Sequence, residues 1–190
     1  AGASLQIKTG SIHAVLGENG AGKSTLMNVL SGVYRHDEGQ VLIDGEAHHF
    51  RSPSDALNAG IGMVHQEFRL VPSFTVAENV VLGASDRLVR RTAVEKEEGE
   101  LAERFGLATD PSRPIWQLSM GERQRVEILK ALWRNARILI LDEPTAVLTP
   151  SEADEPGRVL RTMADDGRSI IFFSHKLHEV TGFCDEATVL

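Results

Sequence analysis

The sequence has a single cysteine, Cys184, so no disulfide can close within the chain, and a reducing compartment suits it. Long hydrophobic runs are missing as well. The longest, residues 138–141 and 170–173, fall far short of the roughly 20 apolar residues a membrane-spanning helix needs, and no signal-peptide pattern is seen. Basic charge is scarce: 20 Lys and Arg stand against 27 Asp and Glu, a net charge of −7, with a pI near 5.5. A chain whose main partner is nucleic acid needs clustered cations to release counterions, so none is expected here. What is present is apolar content, 42% of 190 residues. That suffices for one substantial core, or for a core with a small attached subdomain. The expectation is a soluble, cytoplasmic domain that remains free to dock on a membrane protein.

The chain is organised around Gly17-Glu18-Asn19-Gly20-Ala21-Gly22-Lys23-Ser24-Thr25, which satisfies G-x-x-x-x-G-K-[ST] at each fixed position. Residues 12–16 form a short apolar run fit for a buried strand, and residues 23–30 carry helical spacing at Leu26, Val29 and Leu30. Strand, glycine loop, helix is the order a phosphate site needs. Glycines let the backbone close around oxygens, so consecutive N–H groups and the positive end of the helix point at phosphate. Lys23 adds a charge for the β- and γ-phosphates, and Ser24 a hydroxyl for Mg²⁺. The pattern predicts a nucleoside triphosphate site; a glycine turn before an ordinary helix would share only part of it.

Along the chain, Leu5-Gln6-Ile7-Lys8 alternates like a strand, and Thr9-Gly10-Ser11 turns it into residues 12–16. Residues 40–43 read as a strand ending at the hairpin signal Asp44-Gly45. Ser52-Pro53-Ser54-Asp55 starts a short helix that stops at Gly60. Residues 61–64 form the next buried strand and deliver His65-Gln66 at its carboxyl end. From Val71 to about Ala136 helical periodicity replaces strands and charge rises, as in Glu95-Lys96-Glu97-Glu98, a solvated face. This predicts a helical insert, 71–136, within a core made of 1–70 and 137–190. Residues 137–141 resume the strand pattern and end at Asp142-Glu143. Thr149-Pro150-Ser151-Glu152 opens another helix. Pro156-Gly157 within it predicts a kink or a late start, since an interior proline removes a backbone bond at roughly 3 kcal/mol. Residues 169–173 lead to Ser174-His175, and 187–190 make a last strand. The fold class is α/β, a mostly parallel sheet covered by helices on both faces with a small antiparallel portion near the N-terminus.

Ligands in such folds bind at strand carboxyl ends, where four residues suit the chemistry of a γ-phosphate. Asp142 follows four aliphatic residues, as a carboxylate that orients Mg²⁺ with Ser24 does; a plain strand-ending acid would look the same. Glu143 is placed to polarise an attacking water as general base, or is a surface acid. Gln66 offers an amide oxygen to Mg²⁺ or to the water. His175 can hold the γ-phosphate, or serve structure alone. Phosphoryl transfer needs positioning and charge neutralisation rather than a covalent nucleophile, so the set is sufficient in kind.

These residues resemble the ATPase domain of ABC transporters, a P-loop NTPase fold. The phosphate loop lies at 17–25, the family's Q-loop at Gln66, its signature at Leu118-Ser119-Met120-Gly121-Glu122, its Walker B strand at Asp142-Glu143 and its switch histidine at His175. Gly62-Met63-Val64-His65-Gln66-Glu67, Thr75-Val76-Ala77-Glu78-Asn79 and Asp142-Glu143-Pro144-Thr145-Ala146-Val147-Leu148-Thr149-Pro150 resemble the first module of the tandem ATPases of bacterial simple-sugar and nucleoside importers. The resemblance implies ATP and Mg²⁺ as ligands and hydrolysis between two modules, with Ser119, Met120, Gly121 and Glu122 facing the partner module's γ-phosphate. It also implies a second ATPase module, in the same polypeptide, and membrane permease subunits facing residues 68–73. A substrate-binding lipoprotein follows indirectly, and the place of action is the cytoplasmic side of the bacterial inner membrane. The adenine-stacking aromatic would lie upstream of this chain, and the end at Leu190 reads as a cut through a larger protein. Met120 and Glu122 stand where the common signature has glycine and glutamine. Two rival readings share the site: a regulatory half that binds ATP with little turnover, and a cytosolic ABC-type ATPase associated with nucleic acid.

Overall fold

The computed structural model describes residues 4–18, 20–83, 91–144 and 150–190. In chain order these form β1 (Ile12–Leu16), α1 (Lys23–Leu30), β2 (Val41–Ile43), β3 (Glu46–His48), α2 (Pro53–Asn58), β4 (Ile61–Val64), α3 (Val76–Val81) and α4 (Arg91–Phe105). A 3₁₀ turn at Ile115–Gln117 precedes α5 (Met120–Trp133), β5 (Ile138–Asp142), α6 (Pro150–Asp165), β6 (Ser169–Ser174), α7 (Leu177–Phe183) and β7 (Glu186–Val189). None of the described helices is long and apolar enough to cross a membrane.

Five strands pair in the order β4-β5-β6-β1-β7, and every pairing is parallel. Their carboxyl ends therefore share one edge. Successive residues of the central strands point to opposite faces. Leu139, Leu141, Ile170 and Phe172 join a cluster with Val80 of α3, Phe105 of α4, Leu129 of α5 and Leu160 of α6. Ile140, Ile171 and Phe173 join the other, with Met27 of α1, Ile43 of β2 and Ala56 of α2. Burial on both faces explains why these strands read as unbroken apolar runs. The hairpin β2–β3 is the antiparallel element. It turns at Asp44 and Gly45, with φ of 53° and 83°, the pair of left-handed residues a two-residue hairpin turn requires.

Two sequence expectations change. Residues 5–8 join neither sheet, because β6 and β7 already occupy both sides of β1. Leu5 and Ile7 pack against the cluster on the α1 and α2 face instead, and the Lys8 carbonyl accepts hydrogen bonds from the hydroxyls of Ser11 (2.7 Å) and Ser169 (3.3 Å). The second change concerns α6, which starts at Pro150 and runs through Pro156, so its start is not late. Its neighbour Gly157 has a packing reason, since a Cβ there would lie 2.8 Å from the Phe183 ring. That ring packs edge-on against Phe172, with centroids 5.1 Å apart. Thr149, expected to cap α6, lies outside the described residues.

Candidate functional site

The segment between β1 and α1 is built for a ligand that accepts hydrogen bonds. Gly20 and Gly22 have φ of 89° and 103°, left-handed values that other residues rarely adopt. A Cβ on either would meet nothing within 4 Å, so the space above them is open. Gly22 is the N-cap of α1; it offers no side-chain cap, and no acid stands in the first turn. By contrast α2, α3 and α5 each close their first turn with a Ser or Thr hydroxyl and a carboxylate, at Ser52/Asp55, Thr75/Glu78 and Ser119/Glu122. Helix α1 thus leaves backbone donors and the positive end of its dipole for an anion. Lys23 Nζ donates to the Gly17 carbonyl, which holds the ammonium across the loop. Glu18, Ala21, Ser24 and Thr25 are exposed on it. Asn19 lies outside the described residues.

Strand order brings the other predicted residues to the same edge. His175 follows β6, next to β1; Asp142 and Glu143 end β5; Gln66 follows β4. His175 Nδ1 lies 2.9 Å from Glu143 Oε1. Glu143 has φ of 46° while its N–H donates to the Phe173 carbonyl at 3.0 Å. The other two non-glycine residues at positive φ among those described are Asp44, in the hairpin turn, and Asn135, just past the end of α5. Glu143 has neither excuse, and such strain, roughly 1–3 kcal/mol, collects where a side chain must be aimed. Burial, then the neighbouring Glu143, push the Asp142 carboxyl above its usual range, and Lys23 opposes them only in part. That excess of negative charge, with the Ser24 hydroxyl on the adjacent loop, fits a divalent cation. Gln66 is exposed, and among the described residues no hydrogen bond joins it to Asp142, Glu143 or His175.

The signature residues sit elsewhere. Near the carboxyl end of α5, Ala131 and Ala136 lie beside Gly62 early in β4, whereas Glu127, earlier in the helix, accepts from the N–H of Arg69, beyond the end of β4. Helix α5 therefore runs antiparallel to β4, and Ser119 lies about 12 Å farther along, at roughly 1.5 Å per residue. Ser119 accepts from the Glu122 N–H, and Glu122 accepts from the Ser119 N–H at 2.8 Å and from Arg113 at 2.8 Å. The Ser119 N–H above all, with Arg113, holds the Glu122 carboxyl below its usual range. Met120 is exposed.

Sequence reasoning missed the fastening of the loop after Gln66. Lys130 Nζ donates to the Arg69 carbonyl at 2.8 Å, beside the Glu127 bond to its N–H. Asn79 accepts from the Val71 N–H at 2.7 Å and donates to the Val71 and Thr75 carbonyls at 3.2 and 3.0 Å. Glu127 is 3% exposed and Asn79 0%. The available signal was a polar residue inside an apolar stretch, as in Val126-Glu127-Ile128-Leu129. Burial raises the Glu127 carboxyl above its usual range, against Lys130, the Arg69 N–H and Arg134. His65, just before that loop, is lowered by burial and by the charges of Arg69 and Lys130.

Known proteins resemble this chain in sequence and in fold. Residues 1–146 match a family described as ABC transporter. The chain is 51% identical over 190 residues to the nucleoside import ATP-binding protein NupA of Lactococcus lactis subsp. cremoris, across 98% of this chain and 37% of NupA. It is 45% identical over 191 residues to the ribose import ATP-binding protein RbsA of Hahella chejuensis, across 98% of this chain and 38% of that protein. The chain thus spans well under half the length of these relatives. The solved structure of MJ1267 in its ADP conformation, an ATP-binding cassette of an ABC transporter, superposes with a TM-score of 0.89 at 25% identity, covering 99% of this chain and 79% of that one.

Proposed function

We propose, from the premise that this chain belongs to the ABC transporter family, that it binds and hydrolyses ATP to power import of a simple sugar or nucleoside through a membrane permease. The observation that carries this reading is the uncapped start of α1, one strand away from the Glu143–His175 pair. The backbone of 17–25 and Lys23 hold the triphosphate. Ser24, Asp142 and Gln66 would hold Mg²⁺, which supplies charge neutralisation on the β- and γ-oxygens. Glu143 takes a proton as water attacks the γ-phosphorus and the bond to the bridging oxygen breaks, with ADP leaving. His175 holds the γ-phosphate oxygens and, through Nδ1, the carboxylate that aims the water.

Residues 71–136 act as a helical subdomain on the core made by 1–70 and 137–190, and they share its hydrophobic cluster through α5. Ser119, Met120, Gly121 and Glu122, at the start of α5, would face ATP held by a second ATPase module of the same polypeptide. The place of action is the cytoplasmic face of the bacterial inner membrane. There the permease meets residues 68–73, and a substrate-binding lipoprotein delivers the cargo. Nucleic acid has no part. The test is nucleotide binding and turnover in the complete polypeptide assembled with its permease. Tight ATP binding with phosphate release that stimulates transport is expected, and ATP binding without release would favour a regulatory half-module.

A further inference from the structure

Helix α7 begins in an unusual way. Its N-cap, Lys176, makes no side-chain cap. Instead the carboxylate of Glu179 reaches back to the end of β6, where the Ser174 hydroxyl donates to Glu179 Oε2 at 3.0 Å. The same hydroxyl accepts the Lys176 N–H at 3.0 Å. Lys176 Nζ lies 3.3 Å from Glu179 Oε1 and balances its charge. Ser174 and Glu179 are each 2% exposed. The relay therefore spans His175 from below: Ser174 is fixed in the sheet opposite Leu16, and Lys176 is fixed by Ser174.

His175 itself lacks such support. Its side chain is 57% exposed, so packing does not choose its orientation; the backbone on either side and the contact with Glu143 do. A carboxylate can only accept here, and it thereby sets the direction of the Ser174 hydroxyl hydrogen. The serine lone pairs are left to the Lys176 N–H.

We propose that Glu179 is a positioning residue for ATP hydrolysis: through Ser174 it fixes the turn that presents His175 to Glu143 and to the γ-phosphate. The role rests on the ATPase reading above, and it acts on turnover rather than on binding, because neither Glu179 nor Ser174 belongs to the phosphate loop.

The test uses the complete polypeptide in its transporter, with Glu179→Ala, Glu179→Gln and Ser174→Ala. Ser174→Ala breaks the relay while leaving the Glu179–Lys176 pair, and so covers the case in which Glu179→Ala fails to fold. Ser174→Ala is expected to speed hydrogen exchange of the Lys176 amide about tenfold and to lower kcat about 100-fold, the effect of a misplaced group, with KM for ATP unchanged. Glu179→Gln, which keeps an acceptor, recovers most of the rate lost in Glu179→Ala. Unchanged Lys176 exchange overturns the relay. Faster exchange with parental kcat, or equal losses in kcat and ATP affinity, overturns the positioning role while leaving the ATPase reading intact. A parent complex that binds ATP and releases no phosphate overturns the ATPase reading, and the role with it.

Discussion

Two helix starts, those of α1 and α5, carry opposite electrostatics. At α1 a left-handed glycine replaces the cap, no acid follows, and an ammonium lies across the loop. At α5 the Ser119 hydroxyl and the Glu122 carboxylate satisfy each other's backbone, and Arg113 pairs with the acid. The first start leaves its backbone donors to an external anion; at the second, Ser119 and Glu122 bond each other's N–H and a carboxylate stands in the first turn. The same element of secondary structure thus starts open in one place and capped in the other. The difference lies in two residues, the N-cap and the third helical position, where Gly22 and Thr25 of α1 stand against Ser119 and Glu122 of α5.

The largest test of this contrast is Lys23→Ala. Removing the one cation from a loop of backbone dipoles should lower ATP affinity at least about 100-fold, near the roughly 3 kcal/mol of a charge-assisted hydrogen bond, as read by calorimetry on folded protein. Unchanged affinity would refute the phosphate-loop assignment. Glu143→Gln should keep ATP affinity and reduce turnover about 100-fold or more, so that bound ATP accumulates; parental turnover in the assembled transporter would remove Glu143 as the base.

The α5 side is expected to respond more weakly. Ser119→Arg should slow the transport ATPase far less than the matching change in the second module's signature, if this chain's capped start serves the weaker of two composite sites. Equal losses would sink the asymmetry. Glu122→Gln keeps an acceptor for the Ser119 N–H but removes the charge; turnover should rise by no more than about fivefold, equivalent to about 1 kcal/mol at a helix start. A fall instead would mean that the carboxylate assists the partner's nucleotide.

The smallest effect should appear in pH dependence. His13 and His65 are both lowered from 6.5 chiefly by burial. The folded chain then binds their protons less readily than the unfolded chain. Their contribution to stability is full above pH 6.5 and is lost as pH falls through the lower folded values. Chemical denaturation should therefore show stability declining below that pH, with a flatter profile in His65→Gln. A profile that His65→Gln leaves unaltered would show that the loop beside Arg69 is not a source of the slope.

Most of the sheet was legible because two-faced burial writes itself as aliphatic runs such as Ile138-Leu139-Ile140-Leu141. Local capping chemistry likewise marked Ser52. The site's edge followed, since parallel strands must deliver their ends together. What stayed hidden was set by long-range partners. Residues 5–8 alternate correctly, yet no strand edge is open to them. Glu127 reads as a helix-surface acid until Arg69, 58 positions earlier, is seen against it. The left-handed backbone of Glu143 has no signature in composition, because it is imposed by the neighbouring strand.

Gly62 has a mechanical meaning. A methyl group there would lie 2.8 Å from the Cβ of Ala136 and 3.1 Å from that of Ala131, so strand and helix touch almost backbone to backbone. Ser119 lies 12 residues before Ala131, about 18 Å at 1.5 Å per residue. A tilt of about 5° about that contact would swing Ser119 through about 1.5 Å, enough to make or break a hydrogen bond. This close contact would set the gain with which small motions of the sheet reach the start of α5.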